Sequence, residues 1–310
     1  MKNKEKILLI DGENLLHQSF HKFENLKASN GKPTGAIFGF FKSLHMYINR
    51  FNPKDIMITF DNGHSKHRIK LNPNYKAHRK DISYDRESLQ IQKHIILDIL
   101  GMLRINYIFD KDNSTNYEGD DFLAKQFYKI YDKGGWKILI ISSDKDFNQL
   151  LISKRVKIYN PRKEEYITSD NCKEVFGYTP KETVKYLSLV GDKSDDIPGI
   201  KGIGPVKARK ILDEYPGSGN WGRFINGLSE EDKLIINRNN KLINLKWFLD
   251  EYPIRRSHMS KALNIFNGES LKTEEFKEIC IEYSLNSFMT NEFINTFKNF
   301  NELSNKYFKL

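Results

Sequence analysis

The chain of 310 residues is strongly basic, because 50 Lys and Arg stand against 40 Asp and Glu, and its formal net charge of +10 favours a polyanionic partner. Hydrophobic residues make up 39% of the sequence, enough for one sizeable core with a smaller lobe beside it. Two distant cysteines, Cys172 and Cys280, exclude a disulfide framework and a zinc cluster. Since no apolar run approaches the roughly 20 residues of a membrane span, we expect a cytoplasmic protein without a membrane partner. We also expect the protein to be a monomer.

Five short apolar runs predict β-strands, because they are rich in Ile and flanked by turn residues. They span residues 7–10, 55–60, 104–109, 137–142 and 155–159. Between them, two segments carry apolar side chains at helical spacing, residues 35–51 and 89–103. Strands that alternate with helices predict an α/β core with a mostly parallel central sheet.

From about residue 184 the pattern becomes helical. Phe293, Phe297 and Phe300 lie at helical spacing and predict a helix near the end of the chain. We therefore divide the chain into three parts, a core over residues 1–183, a helical region over 184–264 and a helical C-terminal segment over 265–310. No role for the third part follows from its residues.

Acidic residues gather where predicted strands end. Since the carboxyl ends of parallel strands meet at one rim of a sheet, where ligands collect, we expect their side chains to lie together. Other acids start a predicted helix or precede a glycine-rich turn. The full set of nine is Asp11, Asp61, Glu118, Asp120, Asp121, Asp144, Asp146, Asp192 and Asp195.

Each of these acids alone has a structural explanation, because Asp favours helix caps and turns. Nine carboxylates at one rim, however, would raise one another's pKa values and destabilise the fold, a repulsion that divalent cations remove. Oxygen ligands without a Cys or His cluster favour Mg²⁺ or Mn²⁺. Nine acids are enough for two ions, and a two-metal site suits phosphodiester hydrolysis.

A glycine-rich segment, DIPGIKGIGPVKARKIL, predicts a helix-hairpin-helix that binds DNA phosphates. Its glycines permit a tight turn and close approach to a phosphate, and the following helix presents free N–H groups to an anion. For the glycine pattern alone, a tight turn between packed helices is the alternative. A nucleotide-binding P-loop is excluded, because no Gly-Lys-Ser/Thr follows at the required spacing. The residues expected to bind DNA here are Gly199, Lys201, Gly202, Gly204, Lys207 and Arg209.

In their order along the chain, these motifs resemble those of the 5'-nuclease or flap endonuclease superfamily, which includes bacteriophage 5'-3' exonucleases and the N-terminal nuclease domain of bacterial DNA polymerase I. The resemblance covers about residues 5–250, through LLIDGEN, FDNG, YKAHRKD, YEGDD, ISSDKDF and GDKSDDIPGIKGIGPVKA. It implies a PIN-like core with a helical arch at about residues 62–95. It also implies a helix-three-turn-helix motif that binds duplex DNA and holds a potassium ion.

The resemblance also implies a role for each acid. The first metal site would take chiefly Asp11, Asp61, Glu118, Asp120 and Asp121. The second would take Asp146, Asp192 and Asp195, with Asp144 between the two sites. The sequence departs from the family pattern at Asp196, where Asn is common.

Residues 62–80 are basic and contain no acid, and they lie where the family places its strand-threading arch. By composition alone, a solvated basic loop is the alternative. The resemblance implies that Lys76 and Arg79 contact the scissile phosphate and stabilise its developing charge. Tyr75 is expected to stack on a base, and Arg68 to bind DNA.

The sequence therefore predicts a metal-dependent 5'-nuclease that cuts DNA flaps and degrades free 5' ends during replication, beside partners from the replication machinery. RNA paired to DNA is a further candidate substrate. A ribonuclease H-like or PIN-type ribonuclease would share the acids but would not need the glycine hairpin or the basic segment. A junction-binding protein without catalysis would follow if a metal site were degraded.

Overall fold

The structure is a computed structural model that describes residues 5–80, 85–266, 269–303 and 307–308. At its centre lies a seven-stranded sheet in the order β6-β5-β4-β1-β2-β3-β9. A separate two-stranded sheet pairs β7 with β8. The strands are β1 (Lys6–Asp11), β2 (Asp55–Thr59), β3 (Tyr107–Ile108), β4 (Lys137–Ile141), β5 (Val156–Asn160), β6 (Glu165–Ile167), β7 (Gly191–Asp192), β8 (Ile197–Pro198) and β9 (Leu263–Asn264).

Helices cover both faces of the central sheet and form most of the second half of the chain. Those in the described residues are α1 (Gly12–Lys22), α2 (Gly35–Phe51), α3 (Lys66–Leu71), α4 (Arg86–Met102), α5 (Gly119–Lys133), α6 (Cys172–Phe176), α7 (Thr183–Val190), α8 (Pro205–Glu214), α9 (Gly217–Asn226), α10 (Glu230–Ile243), α11 (Leu245–Glu251), α12 (Arg256–Ala262), α13 (Thr273–Glu282) and α14 (Asn291–Leu303).

The predicted α/β class with a mostly parallel sheet is confirmed. Strand β1 pairs in parallel with β2 and β4, β5 continues the sheet in parallel beyond β4, and β3 does so beyond β2. The two edge strands, β6 and β9, run antiparallel and were not predicted. They are three and two residues long, too short for a period-2 pattern to be visible in the sequence.

Side chains alternate along β1 and so divide the core into two halves. Ile7 and Leu9 pack with α5 and with the helical region from α7 to α12. Leu8 and Ile10 pack on the opposite face with α1, α2, α4, α13 and α14. Because both faces are covered, the four residues from Ile7 to Ile10 of β1 form a continuous apolar run rather than an alternating one.

The amphipathic segments form the expected helices. Helix α2 spans the predicted residues 35–51, and α4 begins before residue 89 because Asp85 caps it by accepting the Ser88 N–H at 2.8 Å. Helix α14 buries Phe293, Phe297 and Phe300 in the half of the core that contains α2. Helices α13 and α14 therefore pack on the sheet's α2 face, whereas Phe308 is buried in the other half of the core. The boundaries proposed at residues 183 and 264 stay predictions.

Candidate active site

Three acids lie at or just after the carboxyl ends of neighbouring strands. Asp11 is the last residue of β1 and caps α1 by accepting the Asn14 N–H at 3.0 Å. Asp61 follows β2, and Asp144 follows β4 and caps the short 3-10 helix Lys145–Leu150. Because β2, β1 and β4 are adjacent and parallel, these residues share one rim of the sheet.

Asp120, in the first turn of α5, joins them and completes what we call the first acidic group, Asp11, Asp61, Asp120 and Asp144. Asp11 is buried, whereas the other three are half-buried. Desolvation and the carboxylates of Asp11, Asp61 and Asp144 raise the pKa of Asp120 well above its usual value. Desolvation also raises the pKa of Asp11 to about 7 and that of Asp61 to about 6. The expected crowding of negative charge is therefore present here.

A second acidic group, Asp146, Asp192 and Asp195, lies beside Asp144. Desolvation, followed by the charges of Asp144, Asp192 and Asp195, raises the pKa of Asp146 well above its usual value. Burial would also raise the pKa of Asp192, but hydrogen bonds from Ser194 and the charge of Lys145, 3.1 Å away, lower it. The charge of Asp144 thus acts on both groups, because it raises the pKa of Asp120 in the first and of Asp146 in the second.

Glu118 and Asp121 have a different environment, because cations already neutralise them. Arg68 donates to both oxygens of Asp121 at 2.8 and 2.6 Å, and Lys76 Nζ lies 2.8 Å from Glu118 Oε2. All four residues are buried. Asp121 also accepts the Glu118 N–H at 2.9 Å as part of a capping box at the start of α5. Both carboxylate oxygens of Asp121 are therefore already hydrogen-bonded, and these contacts account for its position without a metal ion.

The structure corrects the expectation for Arg68. Its side chain was expected to bind DNA but is only 3% exposed, because it pairs with Asp121 and lies over the Phe248 ring at 4.0 Å. The basic composition of residues 62–80 did not reveal this, since a buried cation and a solvated one look alike in a sequence.

Tyr75 is also placed differently from the expectation. Its ring is 4% exposed, and its hydroxyl lies 2.9 Å from Glu118 Oε2 and 3.3 Å from Asp195 Oδ2. A ring held in this way has no open face for a base to stack on. Since a buried hydroxyl needs a hydrogen-bond partner, the nearby carboxylates explain its position.

Lys76 lies beside Asp195 of the second acidic group, and its charge lowers the pKa values of Asp61 and Asp120 in the first. Its backbone N–H donates to the Asp195 carbonyl at 3.0 Å, and its Nζ is 4.0 Å from Asp195 Oδ2. Burial alone would lower the pKa of Lys76, but Glu118 and neighbouring groups raise it well above its usual value, so the ammonium stays charged. Arg79 belongs to the short 3-10 helix Ala77–Lys80, and its side chain lies outside the described residues.

Asp196, the departure from the family pattern, contacts the same basic segment. It adopts a left-handed conformation, with φ of 53°, and its carboxylate accepts from the His78 backbone N–H at 2.8 Å and lies 2.6 Å from His78 Nδ1. Asn72 donates to its carbonyl at 3.1 Å. The turn before the glycine hairpin is thereby attached to the segment that precedes α4.

The glycine hairpin has the predicted position before a helix that starts with Pro205. Gly199 is required by packing, since a Cβ there would lie 2.3 Å from the Val190 carbonyl carbon. Gly202 has a φ of +78°, a conformation that favours glycine, and no atom within 4 Å of a Cβ built on it. Gly204 is likewise open and caps α8. The cationic side chains around this turn are exposed, namely Lys201, Lys207, Arg209 and Lys210.

Two further charged residues beside the first acidic group, Glu13 and Lys93, were missed. Glu13 belongs to the LLIDGEN motif, two residues after Asp11. Lys93 interrupts the apolar face of α4, where Leu89, Ile96 and Leu97 are buried. A lysine at such a position was a signal that a buried carboxylate lies opposite it.

The donor set fits a hard divalent cation. Both acidic groups offer only carboxylate oxygens, and the raised pKa values of Asp61, Asp120 and Asp146 mark negative charge that nearby lysines compensate only in part. Within the described ranges, no three Asp, Glu, His or Cys side chains are arranged to hold an ion by themselves. Mg²⁺ usually keeps several of its waters and is bound through one or two carboxylates, so it does not require three ligands from the protein.

Comparisons with known proteins place the chain in a family. Residues 6–177 match the N-terminal resolvase-like domain of 5'-3' exonucleases, and residues 178–244 match their C-terminal SAM fold. The 5'-3' exonuclease of Aquifex aeolicus is 33% identical over 266 residues, covering 82% of this chain and 89% of that protein. The protein therefore belongs to the 5'-3' exonuclease family, which confirms the resemblance inferred from the motifs.

The thermostable DNA polymerase I of Thermus aquaticus is 34% identical over 233 residues, which cover 74% of this chain and 26% of the polymerase. Among solved structures, the bacteriophage T5 flap endonuclease in a complex with DNA and metal ions superposes with a TM-score of 0.60 at 18% identity, over 91% of this chain and all of that one. This likeness shows the shared fold. No helix in the described parts of the chain is long and apolar enough to cross a membrane.

Proposed function

We propose that the protein is a structure-specific 5'-nuclease that hydrolyses phosphodiester bonds at DNA flaps and free 5' ends with two divalent metal ions, Mg²⁺ or Mn²⁺. The observation that carries this proposal is the convergence of the two acidic groups at one rim of the sheet, with carboxylates whose pKa values are raised. Family membership supports the activity, since matched relatives are named 5'-3' exonucleases.

The first acidic group would hold one ion and the second acidic group the other, with Asp144 between them. Such a pair of ions supplies an activated water and stabilises the charge of an in-line displacement. Glu118 and Asp121, assigned to the first site from the resemblance, are here proposed to position Lys76 and Arg68. Lys76 is buried in its ion pair with Glu118 and lies 4.0 Å from Asp195 Oδ2, so a contact with the scissile phosphate would require its ammonium to leave Glu118.

The DNA duplex would bind at the glycine hairpin, where the open Gly202 and Gly204 leave the backbone accessible and α8 begins. The exposed Lys201, Lys207 and Arg209 would contact its phosphates. Arg79 would contact the scissile phosphate with Lys76. A potassium ion at the hairpin, an RNA–DNA hybrid substrate, replication partners and cytoplasmic location stay predictions of the sequence.

Cleavage of a 5'-labelled flap tests this function. Wild-type protein should cut the flap with Mg²⁺ and not with EDTA, and Asp146→Ala should abolish cleavage while leaving flap binding intact. Asp112→Ala, which changes an exposed acid outside both groups, is the control and should cut normally. Undiminished cleavage by Asp146→Ala would refute the metal assignment. Faster cleavage of RNA or an RNA–DNA hybrid than of the DNA flap would favour the ribonuclease alternative.

A further inference from the structure

Glu13 and Lys93 form an ion pair inside the protein, next to the first acidic group. Glu13 lies in the first turn of α1, and Lys93 reaches it from the middle of α4, with 2.6 Å between Lys93 Nζ and Glu13 Oε2. The side chains are 3% exposed for Lys93 and 18% for Glu13. On the other side, Glu13 Oε1 lies 3.6 Å from His17 Nε2.

This pair holds the backbone of Asp61 from both sides. The Asp61 N–H donates to Glu13 Oε2 at 3.3 Å, and Lys93 Nζ donates to the Asp61 carbonyl. Just before Asp61, the Phe60 N–H directly after β2 donates to the Ile108 carbonyl of the neighbouring strand β3 at 3.0 Å. Phe60 is therefore hydrogen-bonded to the sheet, whereas the backbone of the next residue, Asp61, is hydrogen-bonded to the ion pair.

The carboxylate of Asp61 is fixed separately, because its Oδ1 accepts the Gly119 N–H at 2.5 Å. With the backbone and one carboxylate oxygen both held, Asp61 has little freedom to change its distance from Asp11 and Asp120. A metal ligand held this way does not have to be ordered when the ion binds.

Stability alone does not account for a buried pair at this place. Desolvating two charges costs about as much as their attraction returns, and apolar residues of similar size are often equally stable or better. Lys93 already lies among apolar neighbours, with its ammonium 5.3 Å from the centre of the Phe109 ring and 5.9 Å from that of Phe60. A Leu or Met would pack there, but neither could bond the Asp61 carbonyl.

We propose that Glu13 and Lys93 are positioning residues that hold Asp61 in the geometry that binds a divalent cation, and that they connect this site to α4, the helix following the basic segment. The inference rests on the proposed function, since it takes Asp61 as a metal ligand. It assigns a role in the site to two residues outside the nine predicted metal ligands, Glu13 of the LLIDGEN motif and Lys93 of α4.

The test measures metal binding without turnover. Mn²⁺ alone is titrated into DNA-free protein and bound ion is followed by electron paramagnetic resonance, for wild type, Glu13→Gln, Lys93→Met and the double variant. We expect the variants to bind Mn²⁺ about tenfold or more weakly, the usual effect of losing a residue that orients a ligand. Lys93→Arg, which keeps the donor, should recover part of the affinity.

The double variant guards against misfolding, because it leaves no unpaired charge in the interior. The matched control removes a more exposed ion pair, Lys54 and Glu5, whose charged atoms are 3.6 Å apart. Lys54→Met and Glu5→Gln should leave Mn²⁺ affinity unchanged. Flap cleavage by Lys93→Met should require about tenfold more Mg²⁺ for half its maximal rate and should approach the wild-type rate at saturation.

The outcomes separate the two proposals. If wild type neither binds Mn²⁺ nor cuts the flap, the proposed function fails. If wild type does both while a folded double variant binds Mn²⁺ as tightly as wild type, the function stands and the positioning role is overturned. A change in thermal stability without a change in Mn²⁺ affinity would equally overturn it.

Discussion

Arg68 donates to both carboxylate oxygens of Asp121, from Nη1 at 2.8 Å and from Nη2 at 2.6 Å. Its Nε donates to the Leu242 carbonyl at 3.1 Å, so this one side chain joins α3, α5 and the end of α10. The basic segment after β2 is thereby attached to the nuclease core by a buried cation. The basic segment, which would contact DNA, is therefore fixed to α5, whose first turn also carries Asp120 of the first acidic group.

Arg68→Met should destabilise the protein by about 3–5 kcal/mol, because it leaves the buried carboxylate of Asp121 without its partner. Urea unfolding followed by circular dichroism measures this. Arg209→Ala, at an exposed cation, is the matched control and should leave the unfolding midpoint unchanged while weakening flap binding. If Arg68→Met were as stable as wild type but bound DNA poorly, the original expectation of a DNA contact would be right.

The place of the acids could be predicted because it depends on topology. Asp11, Asp61 and Asp144 each follow an apolar run, and parallel strands bring their ends to one rim whatever the details of packing. Helices α2 and α14 could also be predicted, since both repeat apolar residues at helical spacing. Each of these patterns lies within one short segment of the sequence, so predicting it requires no knowledge of contacts between distant segments.

The partners of charged residues could not be predicted, because they depend on distances between segments far apart in the chain. Arg68 and Asp121 are 53 positions apart, and Lys93 and Glu13 are 80. Nothing local distinguishes Arg68, which is buried, from the exposed Lys66 two positions earlier. For the same reason Tyr75, expected to stack on a base, turned out to hydrogen-bond within the site.

The departure from the family pattern at Asp196 should be harmless. Asp196→Asn should change stability by less than about 0.5 kcal/mol, because Asn also tolerates the left-handed conformation and the lost charge pair with His78 is exposed. Asp196→Ala should cost about 1–2 kcal/mol, since Ala at a φ of 53° is strained. Chemical unfolding of both variants checks this. Equal stability of the two would mean that the backbone strain is relieved elsewhere.

Both cysteines should be inert in the native protein. Cys172 and Cys280 are fully buried, and burial raises the pKa of the first thiol to about 11 and of the second to about 12. At pH 8, a colorimetric thiol reagent should therefore react with neither thiol in the folded state and with both in urea. Rapid reaction of one native thiol would show that its side of the core opens locally. Added Mg²⁺ should not change the result, because neither thiol is at the acidic groups.

Stability should depend on pH through the buried carboxyl of Asp55, although the Tyr307 and Phe308 N–H groups donate to it at 2.8 and 3.4 Å and so oppose the rise in its pKa. Burial raises the pKa of this carboxyl to about 6, so the folded protein binds its proton more tightly than the unfolded chain does. Its contribution to stability is therefore greatest below about pH 4, falls as the pH rises toward about 6 and is constant above. Comparing urea unfolding of wild type and Asp55→Asn across this window isolates the effect, which should be on the order of 3 kcal/mol. Parallel pH profiles for the two proteins would show that Asp55 titrates normally.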